Sequence, residues 1–330
     1  MKATKFICSF APGLVLIFTL ATTAFSQPVP VGTTSLQFLK IEANARAAGM
    51  SGAVVSNTRG SNAAFWNPAG LARVARTDVS FGYTQYLFDT YLSSFSAVLP
   101  VRALGTSSIA LYGLYMDYGS IQETREDLLQ FNPDGSFNPG LTGRSLNPSS
   151  MYAGISFARS LTHKFSLGIS ARYLREDLVE EAVDSWCVDA GFIFYTGLNS
   201  INVGVALRNF GPEVQFGDFS YPIPMTVDLG MSAYLIAPED ALLMNMGSHS
   251  LLMSGGLQHP RDDAQQFKLG LEYNLNETIY LRAGKKYNYD TERIAFGCGL
   301  RLSHFYVDYA YSDFGEYLES VNRFTFMFRF

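Results

Sequence analysis

From Thr77 to its end the chain is a succession of short segments in which apolar and polar side chains alternate. Alternation with period two puts one set of side chains on each face of a β-strand. The last eight residues, Arg323-Phe-Thr-Phe-Met-Phe-Arg-Phe330, state the pattern most plainly, with Phe324, Phe326, Phe328 and Phe330 on one face. The opposite face takes Thr325, Met327 and Arg329. Turn residues divide the alternating region into fourteen predicted strands: 77–87, 91–100, 106–116, 149–159, 165–176, 183–195, 199–209, 224–235, 247–257, 264–275, 277–286, 291–302, 304–312 and 319–330. Most are near the ~9–11 residues that cross a bilayer at a tilt, and an even count suits a single-chain bacterial barrel.

Individual strands show two unlike faces. In the tenth, Phe267, Leu269, Leu271 and Tyr273 oppose Gln266, Lys268, Gly270, Glu272 and Asn274. In the twelfth, Ile294, Phe296, Cys298, Leu300 and Leu302 oppose Arg293, Gly297, Gly299 and Arg301. In the seventh, Ile201, Val203, Val205 and Leu207 oppose Asn202, Gly204 and Arg208. A charge on a lipid-facing surface costs roughly 2–4 kcal/mol at midplane. The charged set Arg172, Arg208, Asp228, Lys268, Glu272, Arg282, Arg301, Asp308 and Arg323 is therefore expected to face inward. There it is expected to pair across the lumen or with a plug rather than form a selective conduit, because an unpaired buried charge is costly.

The connections alternate in length. Val101–Gly105, Ser160–Lys164, Thr196–Leu198, Asn276 and Ser303 are short, with a longer link at Ile236–Met246. The other set includes Asp117–Pro148 and Phe210–Ile223. Short periplasmic turns and long outer loops are the outer-membrane pattern. A soluble β-sandwich would also alternate. The terminal Phe330, the loop asymmetry and the low charge together favour the barrel: 48% of residues are hydrophobic and 14% aromatic with only 16% charged, where a soluble chain carries about a quarter.

Residues 27–76 do not alternate. They hold Leu36-Gln-Phe-Leu39, Ala45-Arg-Ala-Ala-Gly-Met50 and Ala63-Ala-Phe-Trp-Asn-Pro-Ala-Gly-Leu71 after an extended leader, Gln27-Pro-Val-Pro30. So many apolar and small residues without strands are expected inside the lumen as a hatch, since a fourteen-stranded wall is too wide for its own side chains to fill. Gly49, Gly52 and Gly60 are expected to allow tight turns, and Pro68 to hold Asn67 extended. Ahead of them, Lys2, Lys5, the apolar run Phe6–Leu20 and Ala24-Phe-Ser26 predict a Sec signal peptide, 1–26. Cys8 lies in that run without the small-residue context of a lipoprotein site. The fold class predicted is thus all-β: a 14-stranded antiparallel transmembrane β-barrel, 77–330, with an N-terminal hatch, 27–76.

Charge and chemistry narrow the function. The formal charge of −5 argues against a nucleic-acid partner. Cys187 is predicted inward and Cys298 outward, so two free thiols are expected. His163 and His304 fall at short turns, His259 in an outer loop, and no histidine has metal-ligand spacing. No cofactor, metal or catalytic group is nominated, and an enzyme is not expected.

Three stretches carry a family resemblance: Phe38-Leu-Lys-Ile with Ala45-Arg-Ala-Ala-Gly-Met-Ser-Gly-Ala53 and Phe65-Trp-Asn-Pro-Ala-Gly-Leu71; Tyr118-Gly-Ser-Ile-Gln-Glu-Thr124; and Tyr152-Ala-Gly-Ile-Ser-Phe-Ala-Arg with Phe165-Ser-Leu-Gly168 and Arg208-Asn-Phe-Gly-Pro212. Together they resemble the PorV/PorQ family, a branch of the FadL-like outer-membrane barrels. The resemblance implies a hatched 14-stranded barrel serving the type IX secretion system. Its implied partners are C-terminal signal domains of exported proteins and the translocon. A FadL-like passive channel for hydrophobic small molecules is the alternative. It also implies that Phe330, closing the alternation from Phe324, is read by the barrel-assembly machinery.

Candidate sites follow. Asn67-Pro68-Ala69-Gly70 reads as a helix-capping turn or as a ligand contact in the lumen. Phe38, Leu39, Phe65 and Trp66 read as packing or as the lining of an apolar pocket. In the long outer loop, Tyr118, Phe131 and Phe137 are candidates for client docking, and the loop's turn residues predict a folded lid or docking surface.

Overall fold

The computed structural model describes residues 31–316 and 318–330. The predicted signal peptide and the Gln27–Pro30 leader lie outside the described residues. Fourteen wall strands are present: β1 (Asp78–Gln85), β2 (Tyr91–Pro100), β3 (Ser107–Asp117), β4 (Ser149–Thr162), β5 (Phe165–Asp177), β6 (Ala182–Tyr195), β7 (Asn202–Phe210), β8 (Thr226–Ala237), β9 (His249–Pro260), β10 (Gln266–Leu275), β11 (Ile279–Tyr287), β12 (Ile294–Leu302), β13 (Phe305–Asp313) and β14 (Val321–Arg329). Each pairs antiparallel with its neighbours, and β14 pairs with β1. Closure removes the free edges that an open sheet would expose.

The closing seam is in register from Asp78↔Arg329 through Phe81↔Phe326 to Gln85↔Asn322. Phe324, Phe326 and Phe330 point away from the lumen, Phe330 being 62% exposed. Phe328 is half-buried because its ring lies 4.6 Å from that of Phe305 and 4.5 Å from that of Phe330. Thr325 points inward, and its hydroxyl accepts a bond from the Ala45 backbone N–H at 2.9 Å. The two faces elsewhere follow the same parity. Cys187 is buried and Cys298 exposed, and both are free. All nine residues of the expected inward set are buried except Arg208 and Arg301, which are half-buried.

Several expected ends move. β4 continues past 159 and β8 past 235, through register shifts at Ser160/Thr162 and Tyr234/Ile236. A bulge restores pairing after one extra residue, which a strict period-two reading cannot anticipate. β9 runs to Pro260, so His259 is an exposed strand residue and not part of a loop. β7 starts at Asn202 because Thr196–Ile201 closes a turn in which Thr196 N–H donates to Ile201 C=O.

Links at one end of the barrel are short (101–106, 163–164, 196–201, 238–248, 276–278, 303–304). At the other they are 86–90, 118–148, 178–181, 211–225, 261–265, 288–293 and 314–320. The longest holds a hairpin, Ile121–Phe131 with Phe137–Leu146, that pairs with no wall strand. A smaller one joins Val214–Phe216 to Phe219–Tyr221. At the short-turn end, Met244–Asn245 runs parallel beside β8.

Residues 33–76 occupy the lumen lengthwise. Near the long-loop end, Ser35 N–H donates to Pro222 C=O at 3.0 Å and Lys40 pairs with Asp262 at 2.6 Å. Then α1 (Ala45–Gly49), capped by the Asn44 side chain on Ala47 N–H at 2.9 Å, packs on β11–β14. Short 3-10 turns at Ser61–Phe65 and Pro68–Leu71 pack on β1–β3 and on β4–β6 respectively. Near the short-turn end, an Arg73 Nη2 donates to the His163 carbonyl.

Wall glycines let this segment lie backbone-to-wall. A Cβ at Gly284 would stand 2.5 Å from the Met50 carbonyl carbon and from Ser51 N, and one at Gly204 would stand 2.5 Å from Val55 O. Added carbons at Gly168 and Gly191 would overlap Pro68 and Asn67. Gly52 and Gly60 have φ of +72° and +70°, as their expected turns require. Gly49 does not: it is helical, and its place is set by Gly297, whose Cα would lie 3.1 Å from an added Cβ.

Candidate functional site

Asn67 lies at the contact between the lumenal segment and the wall. Its backbone is extended, φ −146° and ψ 104°, as the following Pro68 demands. It is 0% exposed. Its Oδ1 accepts from Ala69 N–H at 3.1 Å, capping the Pro68–Leu71 turn, while Nδ2 donates to Val55 C=O at 2.9 Å, to Phe192 C=O at 3.2 Å and to Val205 C=O at 3.3 Å. Both ends of the amide are thus taken by protein. Gly70 is dictated by space, since an added Cβ would stand 2.9 Å from Thr58 C=O. Asn67→Ala removes the cap and the donor to buried carbonyls, a loss of about 1–3 kcal/mol. The expected result is a lower temperature for the shift from folded to unfolded mobility on gel electrophoresis; an unchanged transition would count against this role.

Next to it is an aromatic cluster. Phe65 meets Trp66, Tyr112 and Tyr152 edge-on at 5.9, 5.3 and 6.4 Å, and Phe38 stacks on Tyr152 at 6.2 Å. Phe38, Leu39, Phe65 and Trp66 are all buried, and all four also line a cavity of about 450 Å³ toward the long-loop end. The packing and lining roles therefore coincide. The same cavity is bordered by Lys268, Lys286, Arg172 and Arg323. Glu42, Asp263, Asp290 and Glu292 border it too, so the cavity is amphiphilic, with aromatic walls and a polar side carrying charges of both signs.

The inward charges form networks with the segment. Glu272 receives Arg282 at 2.7 Å, Arg46 at 2.8 Å and Arg59 at 2.6 Å, and Arg282 also reaches Asp308 at 2.6 Å. Arg172 pairs with Asp189 at 2.6 Å and bonds Asn209 Oδ1 at 2.6 Å. Arg208 pairs with Asp228 at 2.8 Å. Lys286 bridges Glu292 at 2.5 Å and Glu42 at 3.0 Å. Burial pushes the Glu42 carboxyl up, but Lys286, Arg323 and Lys268 together outweigh it and hold the group at about 2. Because that value lies below 4.5, the stabilisation from Glu42 is complete above pH 4.5 and fades as pH falls toward 2. Between Arg46, Arg59, Arg282, Arg301 and Arg329 opens a second cavity, about 680 Å³, toward the short-turn end.

The three outer-loop candidates separate. Tyr118 is half-buried, its hydroxyl 3.0 Å from Ser150 Oγ, and it borders the aromatic-lined cavity. Phe131 and Phe137 meet at 5.5 Å at the hairpin tip, 75% and 57% exposed. Glu42, Arg46, Arg59, Asp189, Asp262 and Lys286 are partners that the alternation did not single out. Strand parity would have found two of them: Asp189 shares a face with Cys187, and Lys286 with Arg282. The rest belong to the segment or a loop, where parity has no meaning.

A closed, antiparallel fourteen-stranded wall with charged residues on its inner face defines a transmembrane β-barrel of the outer-membrane type. Residues 25–252 match the family described as type IX secretion system protein PorV, and the chain belongs to that family. Among solved structures it is similar to the toluene transporter TodX of Pseudomonas putida, with 12% identity over 87% of this chain and 97% of that one and a TM-score of 0.58. The monoaromatic hydrocarbon channel CymD matches with the same identity, coverage and TM-score. These similarities show a shared FadL-like fold. No curated protein matches the sequence.

Proposed function

We propose that this protein is a non-enzymatic outer-membrane barrel that binds clients of the type IX secretion system at the cell surface and hands them on. The observation carrying this reading is the family match across residues 25–252. The short-turn end faces the periplasm and the long-loop end the exterior, as outer-membrane barrels are arranged. Residues 1–26 are the export signal, 27–76 the hatch and 77–330 the wall. With residues 33–76 packed against the inner face of the wall, client contact falls to the outer loops.

Affinity capture from detergent extracts of a strain with an intact type IX system tests the reading. Recovery of proteins sharing a C-terminal β-domain is expected; recovery of none would refute it. The partners proposed are such domains, the translocon, lipid, and the barrel-assembly machinery acting on the terminal strand. Deleting Phe330 should lower the amount of assembled barrel in the outer membrane, measured by surface labelling, and wild-type levels would contradict recognition of that residue.

The aromatic-lined cavity favours a second reading, a FadL-like channel for hydrophobic small molecules. Mass spectrometry of lipid extracted from purified protein decides it. A lumen without any amphiphile, with unchanged uptake in a deletion strain, would remove it.

A further inference from the structure

The two ends of the barrel differ in charge. The links at the long-loop end carry fifteen of the protein's 29 acidic side chains and only four basic ones. The short-turn links carry three acidic and two basic. In the hairpin, both bases are engaged: Arg125 lies 3.1 Å from Asp127 and Arg144 lies 3.7 Å from Glu123. Glu126 and Asp134 on the same hairpin, and Glu180 and Glu181 in the 178–181 link at the same end, remain exposed.

These carboxylates are dispersed. Among the described residues no three acidic, thiol or imidazole groups converge as a metal site would require. They act as a field over one end of the molecule, and such a field repels nucleic acid and anionic headgroups alike. The hairpin within it is uncovered. Its strands bond only to each other, and Leu128, Leu129, Phe131, Phe137 and Leu141 are exposed. An isolated two-stranded hairpin is marginal in water, so exposed apolar side chains on one mark a surface that a partner covers.

We propose that the partner docking on this end is a protein domain whose contact face is rich in Lys and Arg around an apolar centre, drawn in by the acidic rim and anchored on Phe131 and Phe137. The inference rests on the client-binding reading. It adds what the client surface must be: charge complementarity sets the approach rate, and the aromatic pair sets the lifetime of the complex.

The test uses C-terminal β-domains identified by the affinity capture above, purified and passed over the full-length protein in nanodiscs. With the wild-type protein, the association rate should fall by about tenfold or more between 50 and 500 mM NaCl. Combining Glu126→Gln, Asp134→Asn, Glu180→Gln and Glu181→Gln should slow association at 50 mM NaCl by about tenfold and flatten the salt dependence. Phe131→Ala with Phe137→Ala should leave association nearly unchanged and speed dissociation. All six sites are exposed, so folding is spared. A wild-type rate indifferent to salt, or a neutralised variant as fast as wild type, overturns the inference while leaving client binding intact. Failure to capture any C-terminal β-domain overturns both.

Discussion

Replacing Glu272 with Met should loosen the lumenal segment from the wall and lower the stability of the purified barrel by about 3–5 kcal/mol, the cost of stripping a buried ion pair of one partner. Glu272 is the shared anion of Arg46, Arg59 and Arg282. Its side chain is 3% exposed, as is that of Arg282. Without it, Arg46 and Arg59 lose their carboxylate partner, and Arg282 keeps only Asp308. Arg59 is half in solvent, so its share of the loss is screened and small. Arg46 and Arg282 carry the effect. The first prediction for the gel is therefore a lower unfolding temperature; the second is faster tryptic cleavage after Arg46, whose side chain is 17% exposed in the folded protein. The double variant Glu272→Met with Arg46→Met should recover part of the loss, because it removes a charge together with its carboxylate partner and leaves the Arg282–Asp308 pair in place. A double variant no better than the single one would mean that Arg46 does not depend on Glu272.

Gly284→Ala should have the second large effect, through shape alone. The added methyl carbon would stand 2.5 Å from both the Met50 carbonyl carbon and Ser51 N. Neither can yield as a flexible side chain tip would, since both are backbone. Overpacking of this kind costs about 1–3 kcal/mol. The segment between α1 and Val54 has to lift off β11, and trypsin should then reach Arg46. Gly255→Ala is the control, because a Cβ there meets only Leu269 Cδ2, at an ordinary 3.6 Å. Equal protease resistance in the two variants would show that the close approach at Gly284 is unimportant.

Much of the wall was legible in the chain. Fourteen strands were expected and fourteen are found, because a barrel in lipid imposes opposite demands on its two faces and writes them with period two. The parity of Phe324 through Phe330, of Phe267 through Tyr273 and of Cys298 all follow from that one constraint. The hairpin of the longest link was less legible. Residues 121–131 read Ile-Gln-Glu-Thr-Arg-Glu-Asp-Leu-Leu-Gln-Phe, without alternation, because neither face of that ribbon is buried. The register shifts in β4 and β8 were hidden for a related reason: one extra residue inverts the parity on which the reading depends.

At the candidate site, the residues of Asn67-Pro68-Ala69-Gly70 and the aromatic set were recognisable by type, but their partners were not. Asn67 bonds carbonyls at 192 and 205, more than a hundred residues away. Arg46 and Glu272 are 226 residues apart. Local pattern thus determined the strands, their faces, the order of the wall and the apolar character of the segment ahead of it, because each depends on neighbours along the chain and on the solvent each face meets. Only the tertiary structure decided how the segment threads the lumen, which inward charge meets which, and why Gly168, Gly191, Gly204 and Gly284 must be glycine. Those depend on the distance between two backbones brought together by closure, and that distance is not a property of either stretch alone.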